Sequence, residues 1–363
     1  MIRWRRGVVT AIGDAWPGAL ELMADVDGVV VRALAYPALV GVPRIGDEVL
    51  LNTAAVELEL GTGGHAMVIA MPGRLPADEP ELGRLVKARY TPLQVSVGGV
   101  DAQESPHHEL LVDADSLDGM PVVIADLHSA LPAVVAGLRL DRPSARVVYV
   151  MSDGGALPLW LSRTVAALRS AGWLHATVTV GQAFGGDLEA VTLHTGLLAA
   201  RHVLGADVAV VAQGPGNLGT GTRWGYSGVA AGEAVNAVAT LGGRPVASLR
   251  ISDADPRTRH RGISHHSRTA YGRVALAAAD VVVPELDEPL AGAVEADLAA
   301  LGDRHRIVRV GAEGLLEALR AAPVRLSTMG RPLDQDLGYF LAAGCAGRHA
   351  ASLLDNPTPP DGR

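Results

Sequence analysis

Cysteine, lysine and aromatic side chains are scarce in this sequence of 363 residues. A single cysteine, Cys345, rules out a disulfide bond within the chain. Its neighbours form the apolar, helix-like stretch LAAGCAGRHAASLL, so we expect a buried small hydrophobic residue rather than a reactive thiol. Lys87 is the only lysine, and arginine supplies the remaining positive charge. We take this bias, together with abundant Ala, Gly and Val, as the coding preference of a GC-rich bacterium.

Long apolar runs are absent as well. Glycine, aspartate or arginine interrupts each run before the ~18 residues that a membrane span needs. The first residues, MIRWRRGVVTAIGD, carry positive charge, but no apolar segment of signal-peptide length follows them. The formal net charge of −8 argues against general nucleic-acid binding. These observations predict a cytoplasmic protein with neither a membrane nor a nucleic-acid partner.

What the sequence has in quantity is apolar residues, at 48%, against 19% charged residues. This composition is typical of a compact protein with a large core, and the length allows two domains. We expect disorder only in the last residues, 354–363, which include NPTPPDGR.

The N-terminal part, residues 1–72, alternates apolar and polar residues in short runs, the last being VLLNTAAVELEL from Val49. Turn sequences separate the runs at Gly13-Asp14, Asp27-Gly28 and Gly46-Asp47. This spacing predicts a small all-β, barrel-like module. Residues 73–119 then read as a linker with connecting strands, because MPGRLPADEPELG is rich in proline and charge.

From residue 120 to 353, β-branched apolar runs alternate with helical patterns. Continuous apolar strands with helices between them predict an α/β domain with a doubly wound, mostly parallel sheet and helices on both faces, of Rossmann-like type. Predicted strands are PVVIAD, RVVYVM, HATVTV, DVAVVA, RPVASLRI, DVVVP and HRIVRV. Predicted helices cover residues 129–140, 157–171, 187–204, 229–241, 267–278, 289–301 and 313–321, followed by a terminal amphipathic helix.

Two loops of this domain carry most of the chemistry. They are Gln213 to Gly228 (QGPGNLGTGTRWGYSG) and Ser252 to Ser267 (SDADPRTRHRGISHHS). Each follows a predicted strand and precedes a helix, so both should project from the carboxyl edge of the sheet, where open α/β proteins bind their ligands.

The first loop has the composition of an anion-binding loop, since glycine lets backbone amides approach an anion and a helix N-terminus follows. It matches neither the P-loop nor GxGxxG, and GYSGV lacks the spacing of a hydrolase nucleophile elbow. Trp224 and Tyr226 either stack on a ring-shaped ligand or anchor the loop. The alternative is a structural loop whose glycines only permit turns. The predicted ligand-binding residues are Gly214, Gly216, Asn217, Gly219, Thr220, Gly221, Thr222, Arg223 and Ser227.

The second loop concentrates basic residues in an acidic chain, which favours an anionic ligand. We expect Arg259, Arg261 and Arg268 to bind it. His265 and His266 precede an apparent helix start at Ser267, and either histidine is a candidate to transfer a proton near neutral pH. The alternative is a solvated surface loop with an exposed histidine pair.

A divalent metal is a further possibility, and the cofactor otherwise stays unknown. Carboxylates and imidazoles at neighbouring strand ends can hold Mg, Mn or Zn. No HExxH, cysteine-pair or EF-hand spacing supports this, and Asp126 and Asp153, the candidate catalytic carboxylates, could instead cap the helices that follow them. The candidate ligands are Asp126, His128, Asp153, Asp253, Asp255 and the histidine pair.

Several stretches together resemble the bacterial domain-of-unknown-function family 3866. These are RGVVTAI, NTAAVELELGTGGHAMVIA, ARYTPLQ, GPGNLGTGTRWGYSG, RGISHHSRTAYG and LGYFLAAGCAG. The resemblance covers nearly the whole chain and implies that the β module and the α/β domain are one functional unit. It implies no activity and no catalytic residue.

The sequence therefore predicts an enzyme that acts on a small anionic metabolite, phosphorylated or nucleotide-like, at the carboxyl edge of the sheet. The alternative is a non-catalytic sensor or assembly factor whose β module docks a partner. Apolar residues of the terminal helix also favour a homo-oligomer, with a dimer first.

Overall fold

The computed structural model describes residues 2–78 and 83–355. Residues 79–82 of the predicted linker and 356–363 of the predicted disordered tail lie outside the described residues. The chain divides into two compact units. The first comprises Met1–Val97 with Trp160–Ala166, and the second comprises Gly98–Leu159 with Ala167–Arg363.

The first unit contains a closed five-stranded barrel in the order β1-β2-β3-β5-β4. A separate antiparallel pair, β6 and β7, lies between the barrel and the second unit in the sequence. The strands are β1 (Trp4–Trp16), β2 (Ala19–Val26), β3 (Val29–Ala35), β4 (Glu48–Asn52), β5 (Ala66–Ala70), β6 (Leu85–Lys87) and β7 (Val95–Val97), and the one-turn helices are α1 (Pro37–Val40) and α2 (Ala54–Glu57).

The barrel confirms the predicted all-β module, because the alternating apolar residues point into one core. Val9, Leu22, Ala33 and Leu51 are among its fully buried members. The predicted turn at Asp27-Gly28 is also present, with positive φ at both residues, 52° and 83°. Positive φ at both positions suits the two-residue hairpin between β2 and β3.

Two details of the predicted module are wrong. Gly13-Asp14 is not a turn between strands but lies within β1, where the pairing with β2 shifts register between Ile12 and Ala15. The chain turns instead at Gly18, which has φ of 84°. The apolar run from Val49 is a strand only as far as Asn52, and α2 follows it.

The second unit is built on an eight-stranded sheet in the order β11-β10-β9-β12-β8-β13-β16-β17, and its neighbouring strands all pair in parallel. Its strands are β8 (Pro121–Ile124), β9 (Val147–Ser152), β10 (Ala176–Thr179), β11 (Leu188–Glu189), β12 (Val208–Gln213), β13 (Arg244–Ser248), β16 (Asp280–Pro284) and β17 (Arg306–Val310). Two small antiparallel pairs are β14 (Ile251–Ser252) with β15 (Gly262–Ile263) and β18 (Ser327–Thr328) with β19 (Arg331–Pro332).

Helices cover both faces of this sheet, so the predicted doubly wound α/β architecture is confirmed. The helices are α3 (His108–Leu111), α4 (Leu131–Asp141), α5 (Arg163–Ser170), α6 (Leu193–Leu198), α7 (Ala230–Thr240), α8 (His265–Thr269), α9 (Leu290–Leu298), α10 (Leu315–Arg320) and α11 (Leu337–Ser352). No helix in the described residues is long and apolar enough to cross a membrane.

Some predicted helices have different bounds. The helix expected over 157–171 begins only at Arg163. The helix expected over 187–204 begins only at Leu193, because Leu188–Glu189 form β11. The helix expected from Ser267 begins at His265, because Ser264 is its N-cap and accepts a hydrogen bond from the backbone N–H of His266. Both histidines therefore lie on α8 and not in the loop before it.

The strand order of the sheet brings the candidate site residues to one part of its carboxyl edge. β8 is the first strand of the sheet in the sequence, and it lies between β12 and β13. The residues after β8, the loop after β12 and the loop after β13 therefore leave the sheet side by side at its carboxyl edge. This is the kind of position where open α/β sheets bind ligands.

The terminal helix α11 packs closely against α4 through glycines. A Cβ atom at Gly347 would lie 1.9 Å from the carbonyl oxygen of Val134, and one at Gly137 would lie 1.9 Å from that of Gly344. Cys345 is fully buried beside this contact, as expected from its apolar neighbours. The apolar residues of α11, on which the predicted dimer was based, pack within the unit and are not available for a dimer contact. The oligomeric state stays a prediction.

Candidate functional site

The two loops singled out in the sequence meet above β8. The ring of Tyr226, from the first loop, stacks on His266, with centroids 3.8 Å apart and planes at 4°. Its hydroxyl donates a hydrogen bond of 2.7 Å to the backbone oxygen of His266. Gly228 lies against Asp126: a Cβ atom added to Gly228 would be 2.9 Å from the backbone oxygen of Asp126. Glycine is therefore needed for this close approach.

Three histidines form a compact group, which we call the histidine cluster: His260, His265 and His266. One ring nitrogen from each lies within 4.8 Å of the others, and the ring centroids are 4.4 to 4.9 Å apart. His260 is 1% exposed and His266 is 7% exposed. Ser264 organises the cluster, because its hydroxyl lies 2.7 Å from Nδ1 of His260 and caps α8.

A buried carboxylate and a buried guanidinium adjoin the cluster. Oδ2 of Asp126 lies 3.8 Å from Nδ1 of His266, and Nη1 of Arg250 lies 3.4 Å from the same nitrogen. Among the described residues, Oδ2 of Asp126 and Nε2 of His265 are buried without a hydrogen-bond partner. Burial raises the pKa of Asp126, and the charge of Arg250 works against this rise.

The histidines of the cluster are neutral imidazoles near pH 7. Burial, and then the charge of Arg250, lowers the pKa of His260 to about 3 and that of His266 to about 2. Burial, and then the charge of Arg259, lowers the pKa of His265 to about 4. A neutral imidazole offers a lone pair but no acidic proton of the imidazolium kind. These environments favour lone-pair donation over proton transfer for the predicted catalytic pair.

Beside the cluster lies an open hollow of about 470 Å³, which we call the arginine depression. Arg223, Arg259 and Arg273 line it with their side chains exposed to solvent. Arg268 also lines it and forms an ion pair of 2.7 Å with Asp297. The other lining residues are Gly221, His265, Thr269 and Ala300. The depression and the histidine cluster therefore share His265.

Most other predicted ligand residues of the first loop hold the loop together. Oδ1 of Asn217 accepts hydrogen bonds from the side chains of Gln213 and Ser227 and from the N–H of Gly228. Thr220 donates its N–H to Gly225, and its hydroxyl lies 3.1 Å from that of Thr222. The loop is thus a braced turn, and of its predicted residues only Gly221 and Arg223 line the arginine depression.

The loop glycines and Arg261 also have local roles. Gly216 and Gly221 take positive φ of 94° and 79°, which a turn requires. A Cβ atom at Gly214 would lie 3.0 Å from the sulfur of Met151, whereas Gly219 has only contacts near 3.9 Å. The Nε of Arg261 donates a hydrogen bond to the backbone oxygen of Asp255.

Asp153, Asp255 and His128 among the remaining candidate metal ligands have other partners. The carboxylate of Asp153 accepts hydrogen bonds from the N–H groups of Gly155, Ala156 and Gln182 and so braces its own loop. Asp255 is buried and forms ion pairs with three arginines, Arg250, Arg257 and Arg331. Asp253 is exposed and lines a separate groove. Nδ1 of His128 lies 3.2 Å from the hydroxyl of Tyr149.

Sequence reasoning missed three residues of the site. His260 was counted only as part of a basic loop, although the sequence places it five and six positions before the other two histidines. Arg250 lies inside the predicted strand RPVASLRI, and a charged residue near the end of an apolar strand was a usable signal. Arg273 lies on the helical segment that continues α8, and no feature of the sequence singled it out.

The fold and the site define an α/β protein with a doubly wound parallel sheet and a histidine–arginine site at its carboxyl edge. The family model described as "Protein of unknown function (DUF3866)" matches residues 32–347. The chain therefore belongs to this family, which confirms the resemblance found in the sequence. No curated protein matches it.

Proposed function

We propose that this protein binds a small anionic metabolite in the arginine depression and acts on it as an enzyme. The observation that supports the proposal is the grouping of four arginines around one hollow next to the histidine cluster. The chain as a whole is acidic, at −8, so such a basic site stands out from the rest of the molecule.

The chemistry of the lining favours a phosphate or carboxylate group. Arginine presents a planar fork of N–H donors that fits two oxygens of such an anion. Arg223, Arg259 and Arg273 have exposed side chains and are accessible to a ligand from solvent. A volume of about 470 Å³ lies within the range of small-molecule sites, roughly 300–1,000 Å³.

The ligand class extends to nucleotides and other phosphorylated rings through Trp224. This side chain is 55% exposed and stands next to Arg223 in the sequence. An exposed indole provides a flat apolar surface on which a base or sugar ring stacks. A phosphate on the arginines with a ring on Trp224 is therefore the arrangement that we propose.

The test is a thermal-shift and calorimetric titration with inorganic phosphate, a sugar phosphate and a nucleoside diphosphate in buffer containing EDTA. A ligand at 100 times its dissociation constant should add about 2.7 kcal/mol to the stability of the wild-type protein. Arg223→Ala and Arg273→Ala should each weaken binding by about 1.5–3 kcal/mol, the value of a hydrogen bond to a charged group.

Arg320→Ala is the matched control, since Arg320 is an exposed arginine of the same unit that pairs with Asp334. The control should bind as the wild type does. If no anion stabilises the wild-type protein, or if Arg223→Ala and Arg273→Ala bind like the control, the proposed site is wrong.

A non-catalytic sensor is the second candidate, and the exposure of three of the four arginines favours it. Exclusion of water from a reacting centre favours catalysis, and the buried part of the proposed site is the histidine cluster beside the depression. An anion that binds with the expected arginine dependence but releases no product, with or without added zinc, would favour the sensor.

A further inference from the structure

We propose that His260, His265 and His266 bind a divalent transition-metal ion, with zinc as the best fit, and that Asp126 positions His266 for this role. The proposal goes beyond the anion-binding function, because the ion can bind in the absence of any anion.

The donor set is the first argument. Imidazole suits zinc and its neighbours in the first transition row, and three protein ligands with an open fourth position are typical of catalytic zinc sites. The ligand nitrogens lie within 4.8 Å of one another. Zinc–nitrogen bonds of about 2.0–2.1 Å in a tetrahedron require nitrogens about 3.4 Å apart, so the rings need to close by about 1 Å.

The surroundings of the rings are the second argument. A histidine ligand commonly uses its other ring nitrogen to bond a carboxylate, carbonyl or hydroxyl that fixes the ring. Nδ1 of His260 has the hydroxyl of Ser264 at 2.7 Å, which leaves Nε2 for an ion. Nδ1 of His266 faces both Oδ2 of Asp126 at 3.8 Å and Nη1 of Arg250 at 3.4 Å, so His266 binds an ion through Nε2 when Nδ1 carries the ring proton and donates it to Asp126. The stacked ring of Tyr226 holds the imidazole in place.

Two of the five buried side-chain atoms without a hydrogen-bond partner among the described residues lie at this cluster, Nε2 of His265 and Oδ2 of Asp126. A buried polar atom without a partner is costly, and native proteins rarely keep one. Asp126 is only 3% exposed. An ion bound to His265, with Asp126 drawn to His266, would satisfy both atoms together.

An imidazole binds an ion through the ring nitrogen that carries no proton. The charges around the cluster are of both signs, because several arginines, Arg259 among them, lie near His265. Arg250, the nearest positive group, is held by the buried carboxylate of Asp255 at 3.2 Å. Asp126 is the acidic side chain next to His266, and an ion bound at the cluster would favour its charged form.

The cluster and the arginine depression share His265. If the proposed anion binding is correct, an oxygen of the anion is the natural fourth ligand of the ion. This last step alone rests on the proposed function, and the metal site does not require it.

The test is a zinc titration of the demetallated full-length protein by calorimetry in phosphate-free buffer, with cobalt(II) absorption as the report of coordination. Wild-type protein should bind one ion per chain with the visible bands of a low-coordinate histidine site. His260→Ala and His265→Ala should each weaken binding by more than about 10-fold and lose those bands. His194→Ala is the matched control, since His194 is exposed in the same unit, and it should bind as the wild type does.

Asp126→Asn tests the positioning role. It should keep one ion per chain but bind it about 10–100-fold more weakly, with altered cobalt bands. Circular dichroism distinguishes a misfolded variant from a folded variant that has lost a metal-binding side chain. Because His265 is the partly exposed member of the cluster, His265→Ala is the variant that should fold most readily.

Two results would overturn the metal site: a wild-type chain that binds neither zinc nor cobalt, or a folded His265→Ala protein that binds them as the wild type does. Because the anion titrations are made in EDTA, failure of the metal site leaves the anion site standing, and the reverse also holds.

Discussion

At the scale of single residues, the structure assigns Tyr226 to the second of its two predicted roles. The sequence left open whether this aromatic residue stacks on a ligand or anchors its loop. Its ring lies on His266, and its hydroxyl is bonded to the backbone of α8. Tyr226 therefore joins the two loops, and the exposed Trp224 is the aromatic residue that faces solvent.

Tyr226→Phe should lower the free energy of unfolding by about 1 kcal/mol, because the stacked ring stays and only one hydrogen bond is lost. Tyr226→Ala should cost about 3–5 kcal/mol, because the buried ring is lost as well. Urea unfolding of both variants gives these values. Equal losses in the two variants would contradict the anchoring role of the ring.

At the scale of elements, the contact of α4 with α11 depends on glycine. Gly347 and Gly137 let the two helix backbones approach so closely that a Cβ atom would overlap a carbonyl oxygen. Alanine has the better intrinsic helix propensity, by about 1 kcal/mol, but overpacking costs about 1–3 kcal/mol or more. At these two positions the cost of overpacking exceeds the gain in helix propensity, so alanine is destabilising.

Gly347→Ala should therefore destabilise the protein by at least about 2 kcal/mol. Gly292→Ala on α9 is the matched control, since the nearest atom to its added Cβ is the flexible carboxylate of Glu288. The control should be neutral or up to about 1 kcal/mol more stable. Thermal unfolding compares the two, and a Gly347→Ala protein as stable as Gly292→Ala would refute the close helix contact.

The sequence predicted elements well where a single local pattern was decisive. Continuous β-branched runs marked the parallel strands, and Asp27-Gly28 marked a hairpin. The sequence-based prediction failed where the start or end of an element depended on packing or capping. Gly13-Asp14 became part of β1, and Ser264 started α8 two residues earlier than expected. The histidine cluster needed that start, because it sets which way His265 and His266 face.

At the scale of the whole molecule, acid stability depends on Asp280, which links β16, β17 and α11. Burial acts to raise the pKa of this carboxyl, but hydrogen bonds from His349 at 2.7 Å and Arg306 at 2.6 Å outweigh it. The pKa falls to about 2. The stabilisation is therefore complete above the unfolded pKa of about 3.9 and is lost as the pH falls towards about 2.

Asp280→Asn should be less stable than the wild type at pH 7, and the difference should shrink between about pH 4 and pH 2. Urea midpoints measured across this range test it. A difference that stays constant over the range would show that the carboxylate charge of Asp280 contributes nothing to stability.

The residues after neighbouring strands of the sheet should form one site with a metal-binding and an anion-binding part. Anomalous diffraction at the zinc edge, from crystals soaked with zinc and phosphate, tests both parts at once. We expect a zinc peak between His260, His265 and His266, with phosphate density against Arg223 and Arg273. Zinc and phosphate found only at separate surface positions, or absent from both places, would contradict the account.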